Sequence, residues 1–108
     1  MTKVLVSRGF GAGWATWSDK PKEVAEYLPI IEFIEAGGNP DDLESTDHND
    51  AGDVIYHPLV QQMLVDLELG DYFYTGGAGG LTVQETDGRY RINDYDGNES
   101  LETEDSFW

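Results

Sequence analysis

Residues 81–92 read LTVQETDGRYRI, two short alternating runs with Asp87-Gly88 between them. Asp-Gly suits a two-residue hairpin turn, because both central positions need positive φ and these residues tolerate it. A turn of that length predicts that Thr86 faces Arg89, Glu85 faces Tyr90, Gln84 faces Arg91 and Val83 faces Ile92. Leu81, Val83, Tyr90 and Ile92 then share one side, and Thr82, Gln84, Thr86, Arg89, Arg91 and Asn93 the other. Turn chemistry and apolar pattern therefore agree. A lone hairpin is marginal in water, so the rest of the chain must cover its apolar side.

Two helical stripes supply the cover. Val24, Ala25, Leu28, Ile31 and Ile34 recur at three- and four-residue spacing before Gly37-Gly38, with Ser18-Asp19 ahead of Pro21 as the N-cap signal. Pro29 would interrupt one long helix, so the pattern predicts a short piece through Leu28 and a helix over residues 29–36 with Pro29 at its first position. Leu59, Val60, Met63, Leu64 and Leu67 form the second stripe, opened by Pro58 and stopped by Gly70. Residues 3–8 (KVLVSR) make a β-branched strand with Val4 and Val6 on one face and Leu5 on the other. The expectation is a single α+β domain over residues 1–108, a small and mainly antiparallel sheet of three or four strands covered by two helices.

Charge excludes more functions than any motif does. The 108 residues carry 22 Asp and Glu against 6 Lys and Arg, a net charge of -16. Hydrophobic content of 39% and aromatic content of 12% are too high for a disordered acidic tail, so the charge coats a folded body. No Lys or Arg occurs from Glu23 to Gly88. Such a surface repels nucleic acid and anionic membranes and attracts basic proteins or cations. The chain has no cysteine, so a disulfide framework, a thiolate metal site and a cysteine nucleophile are all excluded. No apolar run reaches bilayer length, and the start lacks a signal peptide's basic and apolar regions, which predicts an intracellular protein.

Residues 39–53 (NPDDLESTDHNDAGD) form a polar loop almost without apolar anchors, and eight carboxylates lie between Glu32 and Asp53 with no cation among them. Asp47, His48, Asp50 and Asp53 have the chemistry of a hard-metal site, but close carboxylates in a loop are more often simply solvated. Residues 94–105 (DYDGNESLETED) resemble a calcium loop at Asp94, Asp96, Asn98, Leu101 and Asp105. Glu99, however, stands where the bend needs glycine, and the flanks are not helical. A tight turn at Asp96-Gly97 leading into a strand over residues 99–102 explains the same residues. No metal and no cofactor are expected. Phe107-Trp108 is an apolar terminus suited to plugging the core or docking a partner.

Two glycine-rich segments remain. GFGAGW at residues 9–14 has Trp14 where a dinucleotide fingerprint needs its third glycine and lacks a phosphate-loop lysine. It is best read as a flexible connection or bulged strand end that lets Phe10, Trp14 and Trp17 fold onto the core. The second, GGAGG, follows the aromatic run Tyr72-Phe73-Tyr74, a strand end more suited to core packing than to stacking a ligand. Together with Arg8, Trp14, Tyr74, Arg89 and Arg91 the two segments constitute an alternative site, a pocket that would sequester a small nucleotide signal. No G-x-S-x-G, H-E-x-x-H or paired-carboxylate pattern is present, and neither His48 nor His57 has an identifiable nucleophile, so no catalytic residue is expected.

The segments VSRGFGAGW, YFYTGG and YRINDYDGNESL give the chain a layout that resembles a group of small acidic phage-encoded proteins. These share a Gly/Trp-rich start, one or two helices, a Y-T-G-G segment and a Y-D-G-type ending. Gly79-Gly80 departs from the charged pair that the group's pattern has after Y-T-G-G-A. The resemblance implies a phage or prophage source and a host bacterial cytoplasm, and it carries over no catalytic residue. Joined to the charge, it leads to the expectation of a binding protein that inhibits a host nucleic-acid-handling defence system, of anti-CRISPR or anti-restriction type, by nucleic-acid mimicry. The partner would be a basic nuclease or effector complex. The surface meeting it would comprise Glu32, Glu35, Asp41, Asp42, Glu44, Asp47, Asp50, Asp53, Asp94, Asp96, Glu99 and Glu102.

Overall fold

The structure, a computed structural model, describes residues 2–9, 11–45 and 47–103. It is α+β, with four antiparallel strands and three α-helices among the described residues. The strands are β1 (Thr2–Ser7), β2 (Leu81–Thr86), β3 (Tyr90–Tyr95) and β4 (Asn98–Thr103). The helices are α1 (Pro21–Ala25), α2 (Leu28–Glu35) and α3 (Pro58–Asp66). Phe10, Asp105 and Phe107-Trp108, singled out above, lie outside the described residues.

The strands pair as two separate ribbons, β1 with β2 and β3 with β4, and this corrects the expected hairpin. β2 and β3 do not pair across Asp87-Gly88; Leu5 faces Val83 and Val6 faces Thr82 in the first ribbon. The turn chemistry belongs instead to Asp96-Gly97, where φ is 52° and 85° and Tyr95 faces Asn98, a two-residue turn with both central residues left-handed. At the other site only Gly88 has positive φ. The physical reason for the exchange lies in β1, whose Val4, Leu5 and Val6 are all fully buried. A strand buried in this way holds its backbone groups away from water, and β2 supplies their hydrogen-bond partners. The apolar assignments nevertheless survive, since Leu81 is buried and Val83, Tyr90 and Ile92 all pack against the core, whereas Thr86, expected on the polar side, is buried.

α1 and α2 lie against the first ribbon, and Val60, Met63 and Leu64 of α3 complete the core with Trp14, Phe73 and Leu43. The ends of the helices differ from expectation. Ser18-Asp19 does not cap α1; the N-cap is Lys20, and Ser18 closes the preceding 3-10 turn, its hydroxyl donating to the Ala15 carbonyl at 2.7 Å. α2 begins at Leu28, one residue before Pro29. α3 stops at Asp66, ahead of Gly70, through a 6→1 bond from Leu69 N to Leu64 O at 2.9 Å, with Glu68 left-handed at φ 54°. Glycine is the usual residue there, and an L-residue costs about 1 kcal/mol. An acid at a helix C-terminus adds an unfavourable dipole interaction.

Two part-buried tyrosine hydroxyls bond to carboxylates on other elements. Tyr27 donates to Asp66 Oδ2 at 2.6 Å, and Tyr90 donates to Glu26 Oε2. Burial, then the neighbouring carboxylate, pushes Tyr27 up to about 12 and raises Tyr90 in the same direction. A tyrosine whose folded value lies above its unfolded value of about 10 contributes stability that is complete below that pH and lost as pH rises through the folded value. The urea midpoint is therefore expected to hold to about pH 10 and to fall toward pH 12. Tyr27→Phe should make that fall shallower while costing about 1 kcal/mol at pH 7. An alkaline limb of equal slope in the variant would refute the assignment.

Candidate functional site

Eight exposed carboxylates lie on α2 and on residues 39–45 and 47–53, and the described residues of that segment are built, not loose. Asn39 caps a 3-10 turn (Pro40–Leu43) by accepting from Asp41 N at 3.0 Å. Leu43 is fully buried, an apolar anchor that the polar composition concealed. Ser45 N donates to Thr75 Oγ1 at 2.7 Å. His48 and Val54 form an isolated antiparallel bridge, and Asn49 Oδ1 accepts from Ala51 N and Asp53 N at 2.9 and 3.0 Å. These contacts hold the backbone of the described residues while the acids point outward.

All eight carboxylates from Glu32 to Asp53 are exposed. Among the described residues only Glu35 has a side-chain partner, the Lys3 ammonium at 2.9 Å. That ammonium also feels Glu85 and Glu32, and it is held above its ordinary value chiefly by the Glu35 hydrogen bond. Asp41, Asp42, Glu44, Asp47, Asp50 and Asp53 make no side-chain hydrogen bond or ion pair with the described residues. Charges without such a partner in their own fold remain available to another molecule.

The C-terminal acids behave differently. Asp94 and Asp96 are exposed, but Asp94 is engaged at both oxygens, Oδ1 accepting from Gly97 N at 2.7 Å and Oδ2 from Trp17 Nε1 at 2.8 Å. Glu102 is half-buried and paired with Arg91 at 2.7 Å. Glu99 is no surface acid at all; it is fully buried, which removes it from the expected interface. Its Oε1 accepts from Ser7 N at 2.8 Å. Its Oε2 accepts from Trp14 N at 2.9 Å, Thr16 N at 2.8 Å and Thr16 Oγ1 at 2.6 Å. A ring of N–H groups around an anion is the arrangement by which glycine-rich loops hold phosphate. Here the chain's own carboxylate occupies it.

The two glycine-rich segments do meet, as a seam and not as a pocket. Ser7 Oγ donates to Gly77 O at 2.7 Å, Arg8 N donates to Gly80 O at 2.8 Å, and Gly11 N donates to Asp96 O. A Cβ at Gly77 would strike the Gly13 carbonyl, and one at Gly97 would strike the Ala12 backbone. These glycines permit backbones to touch. The five residues of the alternative pocket also separate. Trp14 is buried edge-on against Phe73 at 4.7 Å, and Arg8 reaches the Glu99 carbonyl. Tyr74 stacks on Trp17, so that ring is half-exposed and not in the core. Only Arg89 and Arg91 share a groove of about 760 Å³, with Lys22, Glu26, Tyr90 and Asp94 on its walls.

Neither histidine hydrogen-bonds a Ser or Thr hydroxyl among the described residues. His57 is the N-cap of α3, its Nδ1 accepting from Leu59 N at 3.1 Å, with its ring 5.6 Å from that of Phe33. No group of three His, Cys, Asp or Glu suited to a metal ion occurs among the described residues, and Glu99 turns inward where a calcium loop needs its bend. No described helix is long and apolar enough to cross a membrane. No family model, no curated protein and no solved structure matches the chain.

Proposed function

We propose that this is a binding protein that inhibits a nucleic-acid-handling machine by presenting carboxylates where phosphates would lie, and that it acts in the cytoplasm of a bacterial host. The observation that carries the reading is the run of exposed carboxylates from Asp41 to Asp53, without a side-chain partner among the described residues, on a pinned backbone. A preorganised loop loses little conformational freedom when it docks, so charge complementarity is not offset by ordering. The scale is suitable as well. The molecule is 50 Å in its longest dimension. A duplex of that length carries roughly 30 negative charges, and the net charge of -16 is about half of that.

The test is retention of a host protein on the immobilised chain at low salt, followed by its release and assay. The reading expects a nuclease or effector that is released by salt and by competing nucleic acid, and whose nucleic-acid cleavage or binding the free protein inhibits. Affinity should fall tenfold or more between 50 and 200 mM salt, on the order expected for screened surface charges. Salt-independent retention, or a retained protein whose nucleic-acid activity is unchanged, would refute it.

A further inference from the structure

The aromatic run at Tyr72-Phe73-Tyr74 alternates about its backbone, so Phe73 enters the core at 6% exposure while Tyr72 and Tyr74 remain 61% and 43% exposed. Trp17, also 43% exposed, stacks on Tyr74 with centroids 5.4 Å apart and planes at 17°. Its Nε1 is anchored by Asp94, which fixes the ring. These rings wall a cleft of about 150 Å³ in which Asp19 and Leu69 also take part. A cleft of that size is half the smallest that takes a drug-sized ligand, and it holds one side-chain head group. Exposed aromatic faces beside an acid, on a protein of charge -16, disfavour an anion and favour a cation.

The geometry points to a receptor for an arginine side chain of a cationic protein partner, with its guanidinium set against Tyr72 and the stacked pair of Trp17 and Tyr74 and paired with the Asp19 carboxylate. Arginine fits better than lysine because its cation is planar, weakly hydrated and able to stack and to pair with a carboxylate at once, whereas an ammonium is a strongly hydrated point charge. Tyrosine and tryptophan are also the residues that most often carry binding energy at the centre of an interface, with charged groups at the rim. This inference rests on the cationic-partner reading and names the group that the partner would insert.

The experiment compares blocked arginine and lysine peptides of equal length and charge, titrated into the whole protein at 150 mM salt by calorimetry. The arginine peptide is expected to bind about tenfold tighter. Tyr72→Ala and Asp19→Asn, both at exposed positions with no hydrogen bond to the described residues, should each cut that preference to about threefold or less without lowering the melting temperature. Equal binding of the two peptides, or an unchanged preference in Tyr72→Ala, would overturn the arginine receptor while leaving the acidic-surface reading standing. Binding of neither peptide would overturn both.

Discussion

Replacing Glu99 by alanine is expected to cost about 4 kcal/mol or more, a large part of the 5–15 kcal/mol that holds a domain of this kind together. The substitution removes every acceptor from Ser7 N, Trp14 N, Thr16 N and Thr16 Oγ1. Each donor stranded away from water costs about 1–3 kcal/mol, and those at Thr16, which is only half-buried, recover part of this by hydration. Glu99→Gln separates shape from charge. Its carbonyl can take the place of Oε2 and satisfy the Trp14 and Thr16 donors, but its NH2 then opposes Ser7 N–H. About 2 kcal/mol is therefore expected, from one lost bond and three weakened ones. Urea denaturation of the two variants gives the answer. A glutamine variant within 0.5 kcal/mol of the parent would show that the carboxylate does not join the second ribbon to the first.

That joint explains why part of the fold was legible in sequence and part was not. Strand alternation placed Leu81, Val83, Tyr90 and Ile92 on the inward side, and they are there. Partner choice was not accessible locally, since the chain contains Asp-Gly at both residue 87 and residue 96 and each satisfies the same turn rule. The exchange is decided by β1, a segment distant in sequence whose two buried faces demand a neighbour.

Glu99 was readable in principle. In β4 it alternates with Leu101 on one side, and a carboxylate on the apolar side of a strand calls for buried donors. In so acidic a chain, one inward acid is hidden among those that face water. The glycine seam had no such signal, because a residue without a side chain does not tell which backbone will approach it. Leu43 likewise shows how one buried side chain and a few asparagine and backbone bonds order a segment whose composition is that of a solvated loop.

Converting Asp41, Asp42, Asp47, Asp50 and Asp53 to Asn and Glu44 to Gln in one variant should move affinity and stability in opposite directions. The six side chains hold nothing among the described residues, and the bonds that pin the loop come from Asn39, Asn49, Thr75 and the backbone, all of which remain. At roughly 0.5 kcal/mol for each exposed charge facing a cationic partner, six losses weaken binding by about 100-fold, and the salt dependence flattens with them. The fold, relieved of six of its acids, should melt a few degrees higher, because like charges repel by a few tenths of a kcal/mol for each close pair. Asp41 and Asp42 oppose that gain slightly, since they stand in the first turn of the 3-10 segment, where a negative charge is favourable. If the carboxylates served solubility alone, the variant would aggregate sooner and bind the retained host protein as before. Reduced affinity together with a higher melting temperature would instead mean that these acids are kept for recognition at the expense of the fold. Calorimetry against the retained protein and a thermal melt of the free variant separate the two outcomes.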